Sequence, residues 1–513
     1  MSAKDRKVTL KTSIGFGLTD IMGGGAFTII GAWLLFFFTT FAGLSPVQAA
    51  SIIAIARIVD AVISLFVGSI SDNLLKYKIG RKFGRRRFFL LIGSPLMLAY
   101  VLLWVSGMSY WYYLLTFLLF EVIAAMVLIP WETLPSEMTK DFNERTQMST
   151  ARMFLSGTGT FLATFVPGQI LAVLGQDNSY AFLINGAFFA ILFAVCIFIS
   201  YKSTWERELT PEEEQALAQQ SMEGRKSFSD SLKEVGEVLK GYITTFKIKA
   251  FRKHLGIYIF SFTAKDVFNA TFVYFCVFAL GQSSTLGANL LSLSAIGIPI
   301  TILAGYLMIK LGPANLFKIS YSTMIICLVG FYVVYLTKPA LMIPLLFVIA
   351  GLYQVGRSIL EFTPWNVFPF IPDVDEIVTK QRREGLFAAV MTFARKSSVA
   401  VATMAVGLLL EFGGFVEGAA AQSTQAISTI VYTMVIATAG LLLVSLGIAF
   451  TFKLNRNTHD ILVNEIDRLK AGGLKSDVDS ETREVVENLT GYNYDEVWMD
   501  NNDEVKTSKM EIA

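Results

Sequence analysis

Histidine occurs twice in this chain of 513 residues, cysteine three times, and only 16% of the residues are charged. With His254 and His459 as the only imidazoles, general acid–base chemistry has few candidates. The chain also contains no HExxH, no GxSxG and no phosphate-cradling glycine loop, so an enzyme is not expected. Cys196, Cys276 and Cys327 each lie inside an apolar run, with no spacing that suggests a disulfide framework or a metal cluster. Neither a metal nor a cofactor is expected. A net charge of +2 provides no broad basic field for nucleic acid. Residues Met1 to Lys11 lack an apolar core ahead of a small-residue cleavage site, so no removable leader is expected.

What the chain has in abundance is apolar sequence, 54% hydrophobic with a mean hydropathy of +0.55. Crossing about 30 Å of hydrocarbon takes roughly 20 apolar residues, and in lipid a backbone that repeats such runs is satisfied only as helices. Apolar spans fall near 13–41, 47–70, 88–107, 110–131, 152–176, 179–200, 254–280, 287–310, 315–336, 339–362, 384–411 and 427–453. The expected fold is an all-α membrane protein of twelve transmembrane helices in two pseudo-symmetric six-helix halves. The expected divisions are 1–200 and 254–453 for the halves, 201–253 for a polar cytoplasmic loop between them, and 454–513 for an acidic cytoplasmic tail. In that tail Ile461, Leu462, Ile466 and Leu469 could form one face of a short helix ended by Gly472-Gly473, but a partly ordered extension is the expectation.

Lys and Arg set the orientation. The connection Ser71 to Arg87 carries seven of them, and the N-terminus carries Lys4, Arg6, Lys7 and Lys11, whereas Gly43–Val47, Gly107–Tyr110 and Gly281–Gly287 carry none. Both termini are therefore expected on the cytoplasmic side of a bacterial-type inner membrane. The halves also echo one another: Phe16-Gly-Leu-Thr-Asp20 in the first span and Phe262-Thr-Ala-Lys-Asp266 in the seventh each place a carboxylate four residues after a phenylalanine. Such parallel repeats characterise major-facilitator transporters, whose sites lie between the halves near the midplane.

An ionisable side chain at bilayer depth costs at least roughly 2.5–3.5 kcal/mol, so each must face a cavity or a partner. Asp20, Arg57, Asp60, Glu121, Arg152, Lys265, Asp266, Arg357, Glu361, Arg395 and Lys396 all fall in or at the ends of spans. Arg57 lies three residues before Asp60, which allows a local ion pair, and Arg357 lies four before Glu361, which favours mutual neutralisation. Lys265 and Asp266 are neighbours about 100° apart around a helix, so they are not a face-to-face pair, and either could line a cavity. Lys396 is too deep to snorkel, and Glu121 has no assignment.

The stretch Pro130-Trp-Glu-Thr-Leu-Pro-Ser-Glu-Met-Thr-Lys-Asp-Phe-Asn-Glu-Arg-Thr146, with Arg152 six residues on, resembles the glycoside–pentoside–hexuronide:cation symporters, the melibiose-permease branch of the major facilitators. Further matches are Gly15-Phe-Gly17 with Asp20, Ala56-Arg-Ile-Val-Asp60-Ala, Gly80-Arg-Lys-Phe-Gly84-Arg-Arg, and Arg383-Glu-Gly385 leading to Thr392 and Lys396. The resemblance covers about residues 10–450. It implies that Asp20 and Arg152 hold sugar hydroxyls, that Asp60 binds the coupling cation, and that Thr392 and Lys396 lie near the sugar and cation sites. Lys265 and Asp266 join the expected substrate set, and Ser64 and Lys396 join Asp60 at the expected cation site. A carboxylate accepting from vicinal hydroxyls and a guanidinium fork donating to them discriminate strongly in a dry cavity.

The expected partners are therefore a small sugar, a coupling cation and the bilayer, with a single chain sufficient for function. Lys265, Arg357 and Arg395, if uncompensated, suit a carboxylated sugar. The resemblance to the family's pectin-oligosaccharide importers also favours uronides or short uronic-acid oligosaccharides (oligogalacturonides), ahead of neutral glycosides. A drug exporter or lipid transporter of the same fold is the competing class, distinguished by a more apolar path. The expected coupling ion is a proton rather than sodium. Where the sodium-using melibiose permease adds an amide, a second carboxylate and helix-four ligands, this chain has Ile63, Ser64, Ala125 and Leu128, a poor cage for a hard cation. Glu121 or Asp266 rebuilding a metal site from other helices keeps sodium as the alternative.

Overall fold

The structure is a computed structural model that describes residues 7–74, 77–139, 141–175, 178–206, 244–381 and 383–498, without side-chain detail at 65, 68, 69, 72, 73, 78 and 142. Most of the expected loop 201–253, and the end of the tail, lie outside the described residues. The long helices are α1 (Leu10–Thr40), α2 (Pro46–Asn73), α3 (Arg87–Trp104), α4 (Tyr110–Glu132), α5 (Phe142–Leu174) and α6 (Ser179–Ser203). They continue as α7 (Lys249–Tyr274), α8 (Ser284–Leu311), α9 (Pro313–Thr337), α10 (Met342–Val367), α11 (Glu384–Phe412) and α12 (Thr424–Phe450). Eleven stretches among the described residues are long and apolar enough to cross a membrane. The exception is α7, which is as long but carries Lys249, Arg252, Lys253, Lys265 and Asp266. Large apolar side chains facing outward, such as Ile302, Ile309, Ile326 and Phe412, are what a lipid-facing surface requires.

Local sequence sets where these helices start. Ser45 caps α2 in a reciprocal box with Gln48, with Pro46 at the first helical position. Ser109, Ser283 and Ser423 accept from the third residue on, at the starts of α4, α8 and α12. The start of α3 is held differently: the Glu206 carboxylate accepts from the N–H groups of Arg85, Arg86 and Arg87 at 2.9, 2.8 and 2.7 Å. A negative charge there satisfies otherwise orphaned donors at the positive end of the helix.

Close approach between α1 and α5 depends on small residues. A Cβ on Gly24 would stand 2.3 Å from the Ser156 carbonyl oxygen, and one on Gly159 would stand 2.5 Å from that of Ile21. α1 widens to π-helix at Ile30–Leu34, and α7 runs on into a π-helical turn at Phe275–Ala279. The halves are locked together at the end carrying the short connections. There Thr39 Oγ1 lies 2.6 Å from the Tyr274 hydroxyl, Glu411 accepts from Ser45 Oγ and from Val47 N–H at 2.8 Å each, and Gly418 N–H donates to the Thr39 carbonyl. The other end carries the basic connections, and there Glu132, Glu361 and Trp365 reach solvent.

One sequence expectation needs correction here. The tail is folded as far as 498: α13 (Arg456–Lys470) buries Leu462, Ile466 and Leu469, α14 (Ser480–Thr490) buries Val486 and Leu489, and both pack on the short helix Ile371–Thr379. His459 Nε2 meets Asp373 at 2.8 Å, Lys470 meets Glu376 at 2.6 Å, and Trp498 N–H donates to the Ile377 carbonyl. An apolar stripe that finds a surface orders a segment whose composition alone reads as loose. At the end with the basic connections, Arg85 and Arg86 pair with Glu137 inside the first half.

Candidate functional site

Between the halves lies a cavity of about 660 Å³ lined from α1, α2, α4 and α5 on one side and α7, α10 and α11 on the other. Nine of its lining residues are charged: Arg57, Asp60, Glu132, Lys265, Asp266, Arg357, Glu361, Arg395 and Lys396. Thr392, Ser64, Asn269, Phe27, Phe262 and Trp365 also face it, so it offers hydrogen-bonding groups and aromatic surfaces together. That is the composition of a site for a polar, ring-shaped solute.

Six cations and six anions in and beside this cavity are arranged in contact. Lys396 Nζ lies 2.7 Å from Asp60 Oδ2 and 2.5 Å from Ser64 Oγ, and Ser64 in turn donates to Asp60 Oδ1 at 3.2 Å, which ties α11 to α2. Arg395 forks onto Asp266 at 2.5 and 2.9 Å while stacking over Phe262. Arg152 bridges Asp20 at 3.0 Å and Glu132 at 2.7 Å over the face of Trp131. Glu361 receives both Lys265, at 3.1 Å, and Arg357, at 3.2 Å, and Arg357 also donates to Asn269 at 3.1 Å. Arg57 reaches Glu121 at 3.0 Å, and its guanidinium lies over Phe27.

The repeat seen in the sequence becomes geometry here. Asp20 on α1 holds Arg152 on α5, and Asp266 on α7 holds Arg395 on α11, equivalent helices of the two halves. Of the expected substrate residues, Thr392, Lys396, Lys265 and Asp266 line the cavity, and Asp20 and Arg152 stand beside it through Glu132. The expected cation residues Asp60, Ser64 and Lys396 meet in one cluster. Arg57 pairs with Glu121 across helices and not with Asp60, because a cross-helix carboxylate meets its guanidinium. Arg357 and Glu361 do pair, but they share Glu361 with Lys265.

The idea that Lys265, Arg357 and Arg395 are uncompensated is overturned: each contacts a carboxylate. Glu132, Asn269 and Trp365 are functional candidates that sequence reasoning passed over. Glu132 lay inside the quoted 130–146 stretch, and Asn269 lay three residues beyond Asp266 on the same helix. Among the described residues no group of three or more metal-ligating side chains converges.

Two long-helix halves around a charged central cavity define a major-facilitator transporter. The chain matches the family described as MFS/sugar transport protein over residues 15–456 and belongs to it, within the glycoside–pentoside–hexuronide-like branch that its motifs resemble. It is 23% identical to the glucuronide carrier protein homolog of Escherichia coli (strain K12), covering 91% of this chain and 97% of that protein. It is 22% identical to the sodium-dependent lysophosphatidylcholine symporter 1-A of Danio rerio, covering 93% of each. Among solved structures it superposes on a D-xylose-proton symporter with a TM-score of 0.55 at 14% identity, over 85% of this chain and 97% of that one, a likeness of fold. The protein is a multi-pass membrane transporter of the sugar-transport family.

Proposed function

We propose that the protein imports a uronide or a short uronic-acid oligosaccharide across the inner membrane by proton symport, with both termini cytoplasmic and one chain sufficient. The observation that supports the cargo is the distribution of charge across the cavity. Three pairs neutralise one to one: Arg57 with Glu121, Lys396 with Asp60, and Arg395 with Asp266. The two remaining clusters are lopsided. On the second half two cations, Lys265 and Arg357, share the single carboxylate of Glu361, and on the first half two carboxylates, Asp20 and Glu132, share Arg152. A sugar carboxylate completes the cationic cluster, and sugar hydroxyls donate to the anionic one.

Proton coupling is supported by the Asp60 cluster, where the Lys396 ammonium at 2.7 Å stands where a sodium ion would need oxygen ligands. A lipid cargo is disfavoured by nine charged residues in the cavity wall. The test is counterflow in proteoliposomes with a glucuronide, a digalacturonate and a neutral β-glucoside. Faster exchange of the acidic sugars is expected, with Arg357→Gln weakening them by about tenfold to a hundredfold. Preference for the neutral sugar, or equal weakening of all three by Arg357→Gln, overturns the cargo. Uptake in sodium-free buffer under an imposed proton gradient checks the ion.

A further inference from the structure

Behind the wall of the cavity is a carboxyl group that the cation cluster does not use. Glu121, midway along α4, is 1% exposed. Among the described residues its one ionic contact is Arg57 Nη1 at 3.0 Å, yet neither of its carboxylate oxygens has a hydrogen-bond partner there, nor does Arg57 Nε. A buried pair kept purely for architecture normally satisfies its remaining lone pairs, because the interior leaves each unsatisfied one costly. Arg57 itself lines the cavity, with its guanidinium 4.8 Å from the Phe27 ring and 6.0 Å from that of Phe117. The guanidinium thus stands between Glu121 and the space where substrate binds.

From these positions we infer that Glu121 is the site that carries the coupling proton and that Arg57 is the arm that reports its charge to the cavity. This rests on the proton-symport reading above. With Glu121 ionised, the carboxylate holds Arg57 back. A proton taken up from cavity water forms an O–H bond on Glu121, and the guanidinium is released. It then turns to Asp60, three residues along the same helix, or to the carboxylate of an entering uronide. Once substrate leaves, Arg57 returns and the proton passes back to cavity water. Asp60 is less suited to this task, since both of its oxygens are engaged, by Lys396 and by Ser64.

The charged groups facing Glu121 are Arg57 and Asp60 of α2 and Lys396 of α11, while α1 brings Phe27 and α3 brings Tyr100 against the neighbouring Phe120. Proton and substrate are then linked reciprocally: whatever factor protonation adds to substrate affinity, substrate adds to proton affinity. Wild-type affinity for a glucuronide should rise as pH falls, by up to ~10-fold per unit for one linked proton.

The experiment uses the full chain in proteoliposomes without sodium, measuring glucuronide counterflow and accumulation under an imposed proton gradient. Glu121→Gln is expected to keep counterflow and lose accumulation, with Glu121→Asp restoring part of it. Accumulation by Glu121→Gln equal to wild type overturns the assignment. Wild type that exchanges substrate but never accumulates it under the proton gradient overturns proton symport and this inference together. Where Glu121→Gln loses both activities, substrate-induced thermal shift from pH 5 to 8 decides. Binding that no longer varies with pH upholds the assignment, and pH dependence like that of wild type, or no binding at all, overturns it.

Discussion

Breaking the contacts that lock the halves at the end with the short connections should open that end by a calculable amount. Tyr274→Phe removes a buried hydrogen bond to Thr39, but leaves Thr39 Oγ1 donating to the Leu35 carbonyl at 3.0 Å, so no donor is orphaned. The loss is then the net value of one neutral hydrogen bond, about 1 kcal/mol. Glu411→Ala removes two contacts at 2.8 Å, to Ser45 Oγ and Val47 N–H. They are charge-assisted but solvent-exposed, so about 1 kcal/mol for both is the discounted figure. Every one of these contacts joins the two halves and is lost when that end opens. Their energy therefore enters the balance between conformations directly, and the double variant should shift it by about 2 kcal/mol, roughly 30-fold. Spin labels at Met108→Cys and Leu341→Cys, exposed positions on opposite halves at that end, read the change. The three native cysteines are buried and should not compete. The distance distribution should gain a longer component in the double variant and a weaker one in each single variant. An unchanged distribution would show that apolar packing alone, such as Phe36 against Tyr274 and Phe278, sets the closure.

Gly24→Ala should destabilise the first half by about 1–3 kcal/mol, because its Cβ meets the Ser156 carbonyl and α1 must leave α5. Gly157→Ala, whose Cβ finds its nearest neighbour at 3.7 Å, is the matched control, and equal thermal stability of the two variants in detergent would contradict the packing argument. In the tail, Ile466→Ala removes a side chain that is 3% exposed and should cost about 2–5 kcal/mol of local stability. Limited proteolysis should then cut between 456 and 498 in the variant before wild type, and matching cleavage rates would mean that α13 does not depend on that contact.

Sequence alone determined the solvent and the scaffold. Runs of about twenty apolar residues leave the backbone no option but helices, and the basic connections give the bundle a polarity. The paired Phe16–Asp20 and Phe262–Asp266 spacings announce two related halves. It also showed that charges lie at membrane depth, and residue spacing fixed their azimuth on each helix. Partner choice was not legible, because azimuth does not say which neighbouring helix arrives on that face. Arg57 could have met Asp60 along its own helix but met Glu121 on α4. Lys265 and Asp266, adjacent in sequence and about 100° apart, went to Glu361 and Arg395 on different helices. The sharing of Glu361 by two cations and of Arg152 by two carboxylates, which carries the cargo argument, exists only once five helices are brought together. The tail followed the same rule. Its apolar stripe was visible in Leu462, Ile466 and Leu469, but a stripe orders only where another surface covers it, and the helix Ile371–Thr379 that does so comes from about ninety residues earlier in the chain.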